Sequence, residues 1–458
     1  SAAGNPELAC SGALNRSTTD QKGYGFNAQL AFNQPFMQKQ NQFIVGMGYD
    51  YSRVKFNQST EMGLLNATRG VDGISVANDE AAVDLQGKTY SWGAFATDTL
   101  SLNDFWHLTL SGRYNHIKVE NRDQLIPDPA VDPTSLTGDH SFNRFNPAVG
   151  LSFTPTKDLT VYGSYNEGMR APTSMELGCA NPAQPCKLPN AMAGDPPLEK
   201  VVSKTYEVGA RGNLTSNIRW SGSVYSTVNH DDIQFIATNT ANNMGYFDNV
   251  GKTRRMGLDL GLTGDVDKFG WNVGYSYLKA TYESDLTLVN QVNSTSYVDA
   301  NGNNVISVKK GDRLANLPDH VLKIRMQYQV TPNWTVGTNI NTFADVYARG
   351  NENNKHQANS GVGYQGDGKI SGYTVVNLDT RYKFGNSGWQ VFAKAINIFD
   401  KEYASGGMLG ESWINQSGTF AGEDSPSKLV MPGAPRAGWL GVRYEFGAQK
   451  SAYDSKAD

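Results

Sequence analysis

Four features of this chain have residue types that could do chemistry: a cysteine pair, the histidines and two glycine-containing polar loops. Cys179 and Cys186 lie close together in CANPAQPC, among turn formers, where a disulfide would imply an oxidising compartment. Two free thiols or a metal pair are the alternatives. No second Cys/His pair stands nearby to complete a zinc site, which favours the disulfide and leaves Cys10 over. The histidines, at 107, 116, 140, 230, 320 and 356, show no metal-ligand spacing. GYQGDGK (363–369) approaches a phosphate loop, but Ile370 stands where Ser or Thr is required and no helix pattern follows. DANGNN (299–304) hints at a calcium loop, yet it lacks the sixth-position Gly, and Lys310 replaces the bidentate Glu. There is no G-x-S-x-G elbow. These features support neither an enzyme nor a bound cofactor.

The elements that must position such residues are legible in the alternation. In VLKIRMQYQV (321–330), Leu322, Ile324, Met326, Tyr328 and Val330 share one face, opposite Lys323, Arg325, Gln327 and Gln329. FIVGMGYDYS (43–52), WHLTLSGRYN (106–115), LTVYGSYN (159–166) and IRWSGSVYSTVN (218–229) repeat the pattern, and none places Lys, Arg, Asp or Glu in the apolar set. Period two with one apolar face is the strand signal. About fifteen strands are expected, most longer than the roughly 5–6 residues usual in soluble sheets and able to span the roughly 9–11 residues of a bilayer crossing.

The connections are segregated by length. SLND (101–104), TPTKD (154–158), NLTSN (213–217), TPN (331–333) and GNSG (385–388) are tight. Between them lie long polar segments at 57–83, 122–140, 172–198, 285–310, 350–369 and 404–434, with a short one expected only near 236–243. Trp106, Trp220, Trp271, Trp334 and Trp389 each follow a short turn, so five of the 8 tryptophans stand at one height. Short turns at one rim, long loops at the other and an aromatic belt describe an antiparallel transmembrane β-barrel of the outer membrane. Its apolar face meets lipid and its polar face lines a lumen. An outward Lys or Arg at mid-bilayer would cost roughly 2–4 kcal/mol.

Bulk properties agree. With 458 residues, 11% aromatics, 48 glycines and 18% charged residues, the chain has the composition of a large β structure. A net charge of -4 gives no support for nucleic-acid binding. Parity adds an expectation. The last strand runs toward the short turns, and so does the first visible one at 22–35, which places residues 1–21 among the outer loops. Single-chain bacterial barrels have an even strand count, so residues 1–447 are expected to be the C-terminal part of a longer barrel. Residues 448–458 form a polar tail.

Several stretches resemble the barrel of a TonB-dependent outer-membrane receptor: YNEGMRAPT (165–173), DPPLEKVVSKTYEVGARG (195–212), YSYLKATY (275–282), LPDHVLKIRMQYQVTPNW (317–334) and NIFDKEYA (397–404). The resemblance spreads over about 150–447. It implies a 22-stranded barrel in the bacterial outer membrane, closed by an N-terminal plug that meets TonB. Neither the plug nor the first strands are visible here. Function would then be active uptake of a scarce solute, most of all a ferric siderophore. The implied partners are membrane lipid and lipopolysaccharide, the TonB complex through the plug, and a small iron chelate, with the barrel working as a monomer. A passive porin, or a surface adhesin or receptor without transport, is the alternative.

Within that frame, Arg170, Tyr246, Tyr347, Arg349, His356, Tyr364 and Trp413 are candidate ligand-binding residues, because rigid aromatics and Arg favour binding hot spots. Glu176, Glu207 and Arg211 are candidates to face the lumen or plug. The alternative for Arg170, Glu176 and Glu207 is a local ion pair or hydrogen bond that holds the wall, and for the loop residues it is ordinary packing.

Overall fold

A computed structural model describes residues 12–68, 70–77, 82–132, 134–178, 180, 186–187, 198–237, 244–358, 366–414 and 420–446. The wall consists of β1 (Gly12–Phe32), β2 (Asn41–Leu65), β3 (Val83–Ser101), β4 (Trp106–Asp123), β5 (Gly138–Thr156), β6 (Leu159–Arg170), β7 (Val201–Thr215) and β8 (Ile218–His230). It continues with β9 (Thr253–Val266), β10 (Phe269–Tyr282), β11 (His320–Thr331), β12 (Trp334–Phe343), β13 (Tyr373–Lys383), β14 (Trp389–Ile396) and β15 (Ala437–Tyr444). Each pairs antiparallel with the next, so the order in the sheet is the order in the chain, with β1 and β15 at its ends. The expected fifteen wall strands are therefore present.

Register aligns the faces. Across β8, β9, β10 and β11, Val224 stands opposite Leu258, Leu258 opposite Tyr277, Leu260 opposite Tyr275, and Val273 opposite Ile324. The apolar face is open rather than packed: Leu440 is 78% and Val442 62% exposed. The buried apolar clusters lie instead at the long-loop end, for example Ile236, Tyr282, Leu288, Ile306 and Val308. A face this apolar and this uncovered is suited to hydrocarbon, where every backbone group must be paired within the sheet. At the short-turn rim, Trp106 stacks on Phe153 at 4.5 Å and Trp389 lies 4.7 Å from Tyr444, which forms the belt.

Two expectations change. The first strand begins at Gly12 instead of residue 22, because β2 runs on to Leu65 and pairs with the added segment, Gly12 opposite Gly63. That segment, GALNRSTTD, lacks an apolar face and so carried no strand signal. The connection near 236–243 is also not short. β8 stops at His230, Asp231 turns with φ 55°, and the wall resumes only at Thr253. Buried Asp232 holds the break by accepting from Thr253 Oγ1 at 2.5 Å and pairing with Arg255 at 3.2 Å. The strands Ile233–Ala237 and Met244–Asn249 then form a side hairpin. That rim thus carries a long excursion here as well.

The other long loops fold too. Leu286–Val289, Asn304–Val308 and Tyr297–Val298 make one small sheet; Val346–Tyr347 pairs with Lys369–Ile370, and Ala404–Ile414 with Phe420–Pro432. Among the described residues no helix is long and apolar enough to cross a membrane, which says nothing of a barrel that crosses with strands.

Candidate functional site at the loop rim

The candidate residues fall into two zones, the polar wall face and the folded loops. On the wall, Tyr162 donates to Glu207 at 2.9 Å, and the Arg211 guanidinium lies 6.0 Å from the Tyr162 ring centre. Gly209 stands opposite Tyr162 and Tyr225 opposite Glu207, so these groups occupy the polar face of β6, β7 and β8. Alternation dictates this placement, which puts Glu207 and Arg211 on one face of the strand.

Arg170 and Glu176 meet just above the wall. After β6, Thr173 caps the short helix α1 (Ser174–Leu177) and Glu176 completes a capping box. The Glu176 carboxylate accepts from Thr173 N–H at 2.8 Å and from Arg170 at 2.7 Å. Glu176 thus carries two local duties, and Arg170 is bound by one of them.

In the loops, Arg349 is the centre of the arrangement. Its backbone is clamped to the neighbouring hairpin: its N–H donates to Gly407 O at 2.9 Å, and Leu409 N–H donates to its carbonyl at 2.7 Å. Gly350 follows with φ +90°, a conformation that favours glycine, and a Cβ there would meet Leu409 Cβ at 3.0 Å. The half-buried guanidinium sits 5.6 Å from the Phe235 ring centre, within cation–π range. Phe235 meets Phe247 edge-to-face at 5.1 Å. Among the described residues no carboxylate lies within 4.0 Å of Arg349. The buried carboxyl of Glu352 has its pKa pushed up by burial, and the Gly350 N–H, which it accepts at 2.7 Å, and the charge of Arg349 draw it partly back.

The remaining candidates are used internally. Tyr246 lies opposite Ile236 and packs against the loop core, and burial raises its hydroxyl. Tyr347 has Arg313 at 5.6 Å and Lys369 at 4.9 Å from its ring centre. Arg313 is in turn paired with Asp319. His356 is buried; its Nδ1 accepts from Ser294 N–H at 3.0 Å and its own N–H donates to Asn351 at 3.0 Å. Burial holds its pKa below the usual histidine range. Cys179 and Tyr364 lie outside the described residues, as do the side chains of Cys186 and Trp413. The backbones of the last two sit in strands Cys186–Lys187 and Ala404–Ile414. Among the described residues no three His, Cys, Asp or Glu side chains converge as metal ligands.

The structure therefore brings Arg349 to Phe235, which in turn meets Phe247, and the sequence had marked neither ring. Their only signal was local: Phe235 in IQFIA and Phe247 in MGYFDN alternate with Ile236 and Tyr246, which pack in one loop core, and Phe247 packs against a second buried cluster that includes Val119, Leu177 and Ile233. A cation on the first of two touching aromatic rings, without a carboxylate within 4.0 Å among the described residues, can hold an anionic or π-rich solute by charge and stacking together.

Known proteins carry the same architecture. The family described as TonB dependent receptor-like, beta-barrel matches residues 3–398. The ferrioxamine receptor of Yersinia enterocolitica is 25% identical over 249 residues, covering 52% of this chain and 31% of that protein. The ferric yersiniabactin uptake receptor FyuA of Yersinia pestis superposes with a TM-score of 0.63 at 13% identity, covering 95% of this chain and 55% of the other. The siderophore receptor PiuA of Acinetobacter baumannii gives 0.62 at 16%, covering 93% and 56%. Such low identities to solved structures establish the fold alone, and the chain spans about half the length of those receptors. The long family match, together with a lipid-suited wall whose rims differ in loop length, shows that this chain belongs to the TonB-dependent receptor β-barrel family of the bacterial outer membrane.

Proposed function

We propose that this chain forms the C-terminal wall and outer loops of a receptor for TonB-driven uptake of a ferric siderophore. The rest of the barrel and a plug that meets TonB belong to the remainder of the protein. The observation that carries this reading is the half-buried Arg349 at the Phe235 ring, itself edge-to-face with Phe247, without a carboxylate within 4.0 Å of the guanidinium among the described residues. Ferric siderophores are commonly anionic or aromatic, and a site of cation and rings offers both contacts. The named relatives, a ferrioxamine receptor and two siderophore receptors, support the same reading. The polar wall below, with Tyr162, Glu207 and Arg211, supplies a hydrated path inward.

The test is uptake by iron-starved cells that express the full receptor or its variants at equal level, scored across a panel of ferric siderophores. One chelate should be taken up in a TonB-dependent way, and Arg349→Ala or Phe235→Ala should weaken its binding by roughly tenfold or more. Equal uptake of every chelate with and without the receptor would overturn the iron reading. Uptake that persists without TonB would favour a passive pore.

A further inference from the structure

The lumen face of β11 to β15 carries charge that the loop-rim site does not use. Register fixes which side chains share that face. Val336, Thr380, Ala393 and Leu440 stand in line on the outer face, where Leu440 is 78% exposed. Alternation then puts Gly337, Asp379, Lys394 and Trp439 in one inward row, and Thr335, Arg381, Phe392 and Gly441 in the next. Phe392 is four and Lys394 six residues beyond Gly388 of a short turn. The rows therefore lie about 10 Å and 16 Å above that rim on a strand tilted by about 40°.

Two glycines shape this surface. Arg325 lies over Gly337 to reach Asp379 and occupies both of its carboxylate oxygens. Phe392 lies over Gly441, where a Cβ would fall 2.3 Å from the ring. Between them opens a hollow of about 340 Å³, lined by Arg325, Asp379, Arg381, Gln390, Phe392 and Lys394 among others. That volume is at the lower end of the roughly 300–1,000 Å³ of small-molecule sites. Arg381 and Lys394 have no carboxylate within 4.0 Å among the described residues, since Asp379, the cross-strand neighbour of Lys394, is engaged by Arg325. Lys394 Nζ lies instead 5.4 Å from the ring centre of Trp439, which is 47% exposed. A cation on an aromatic ring with no carboxylate beside it is also what the loop rim presents, where Arg349 lies 5.6 Å from Phe235. The same pair of groups thus stands toward both ends of the polar face.

We infer that this hollow is an inner binding site for the solute in passage, which takes an anion that carries carboxylate oxygens on a planar conjugated body. Arg381 offers paired N–H donors to one carboxylate and Lys394 a point charge to a second. Phe392 and Trp439 supply ring surface to the body between them. An acidic protein segment would meet the two cations and leave both rings without a partner, so the cations and rings together favour a small aromatic anion. That the occupant is in transit rests on the uptake reading, whereas the affinity of the hollow for such an anion does not.

The experiment is fluorine NMR of the full receptor in detergent, labelled with fluorotryptophan, with the Trp439 signal assigned through Trp439→Phe. Benzenetricarboxylate should move that signal saturably, and the uncharged benzenetricarboxamide should not. The ring-free propanetricarboxylate should bind about three- to tenfold more weakly than the aromatic acid. Arg381→Gln with Lys394→Gln should weaken binding by about tenfold or more. Arg381→Lys with Lys394→Arg preserves both charges and should retain most of it, and Lys268→Gln, in the short turn between β9 and β10, should change nothing. In iron-starved cells the double glutamine variant should hold the transported chelate at the surface as tightly as wild type but take it up about tenfold more slowly. A Trp439 signal that ignores the tricarboxylate, or responds equally in the glutamine variant, overturns the site. An equal response to the carboxamide leaves ring stacking alone and overturns the anion assignment. Unchanged uptake by the glutamine variant overturns its place on the path. Should no chelate be taken up at all, the uptake reading falls, and the NMR titration still decides whether the hollow takes the anion.

Discussion

Arg325 and Asp379 meet across an intervening strand. Two hydrogen bonds join them, one of them 2.9 Å from Nη2 to Oδ1, and the guanidinium lies over Gly337 of β12. Gly337 is what permits the pairing, because a Cβ there would fall 2.5 Å from Arg325 Nη2. Gly337→Val should therefore displace the guanidinium and cost about 1–2 kcal/mol, as should Asp379→Asn. The double variant should cost little more than either single one, since both remove the same contact. Urea unfolding in detergent measures the cycle, and full additivity would show that the glycine serves something else.

Asp98 interrupts the apolar face. It stands between Phe43 and Leu110 in register, above a hollow of about 430 Å³ that also touches Phe145, Pro147, Val149 and Tyr165. In hydrocarbon a carboxylate at this position is unfavourable, although less so than a lysine or arginine. Asp98→Leu should stabilise the barrel in phospholipid vesicles by about 1 kcal/mol. A variant no more stable than wild type would place this stretch of wall outside the hydrocarbon.

The loop cap is expected to be sensitive to pH through His356. Its folded pKa lies below the unfolded value of about 6.5, and burial is the first cause. The cap's stability is then complete above that unfolded value. It declines as pH falls from about 6.5 through the folded pKa, because the unfolded chain binds the proton more readily. The hydrogen-exchange protection factors of residues 290–297, corrected for the intrinsic pH dependence of exchange, should fall between pH 7.5 and pH 5.5, and His356→Gln, whose side-chain oxygen can still accept from Ser294, should flatten the change. Protection factors independent of pH in the wild type would contradict the burial argument.

Glu352 acts with the opposite sign. Its folded pKa is raised by burial, so its contribution is present below about 4.5 and is lost as pH rises through the folded value. Glu352→Gln keeps the acceptor for Gly350 N–H and removes the buried charge. At neutral pH it should slow exchange of the same loop residues. Faster exchange would instead reveal that the Arg349 charge depends on this carboxylate.

Glu176 can be dissected by two substitutions. Glu176→Ala removes both the cap contact to Thr173 N–H and the partner of Arg170, while Glu176→Gln retains the cap. The alanine variant should lose about 1 kcal/mol of local protection in α1 and the glutamine variant less. Equal losses would assign the stability to the ion pair.

Alternation in segments such as 321–330 and 106–115 was enough to read the fifteen wall strands, their two faces and the unequal rims, because the side-chain period of a strand is local and needs no partner to be seen. The same rule placed Glu207 and Arg211 on the polar face. What required the fold were pairings between distant segments. Gly12–Asp20 became strand only because β2 was long enough to receive it. Asp232 ended β8 through Thr253 and Arg255. Arg349 reached Phe235 from more than a hundred residues away, and Glu176 turned inward to cap its own helix. Such contacts leave no periodic trace in the chain. They depend on which loops the wall brings side by side, and tertiary structure alone decides that.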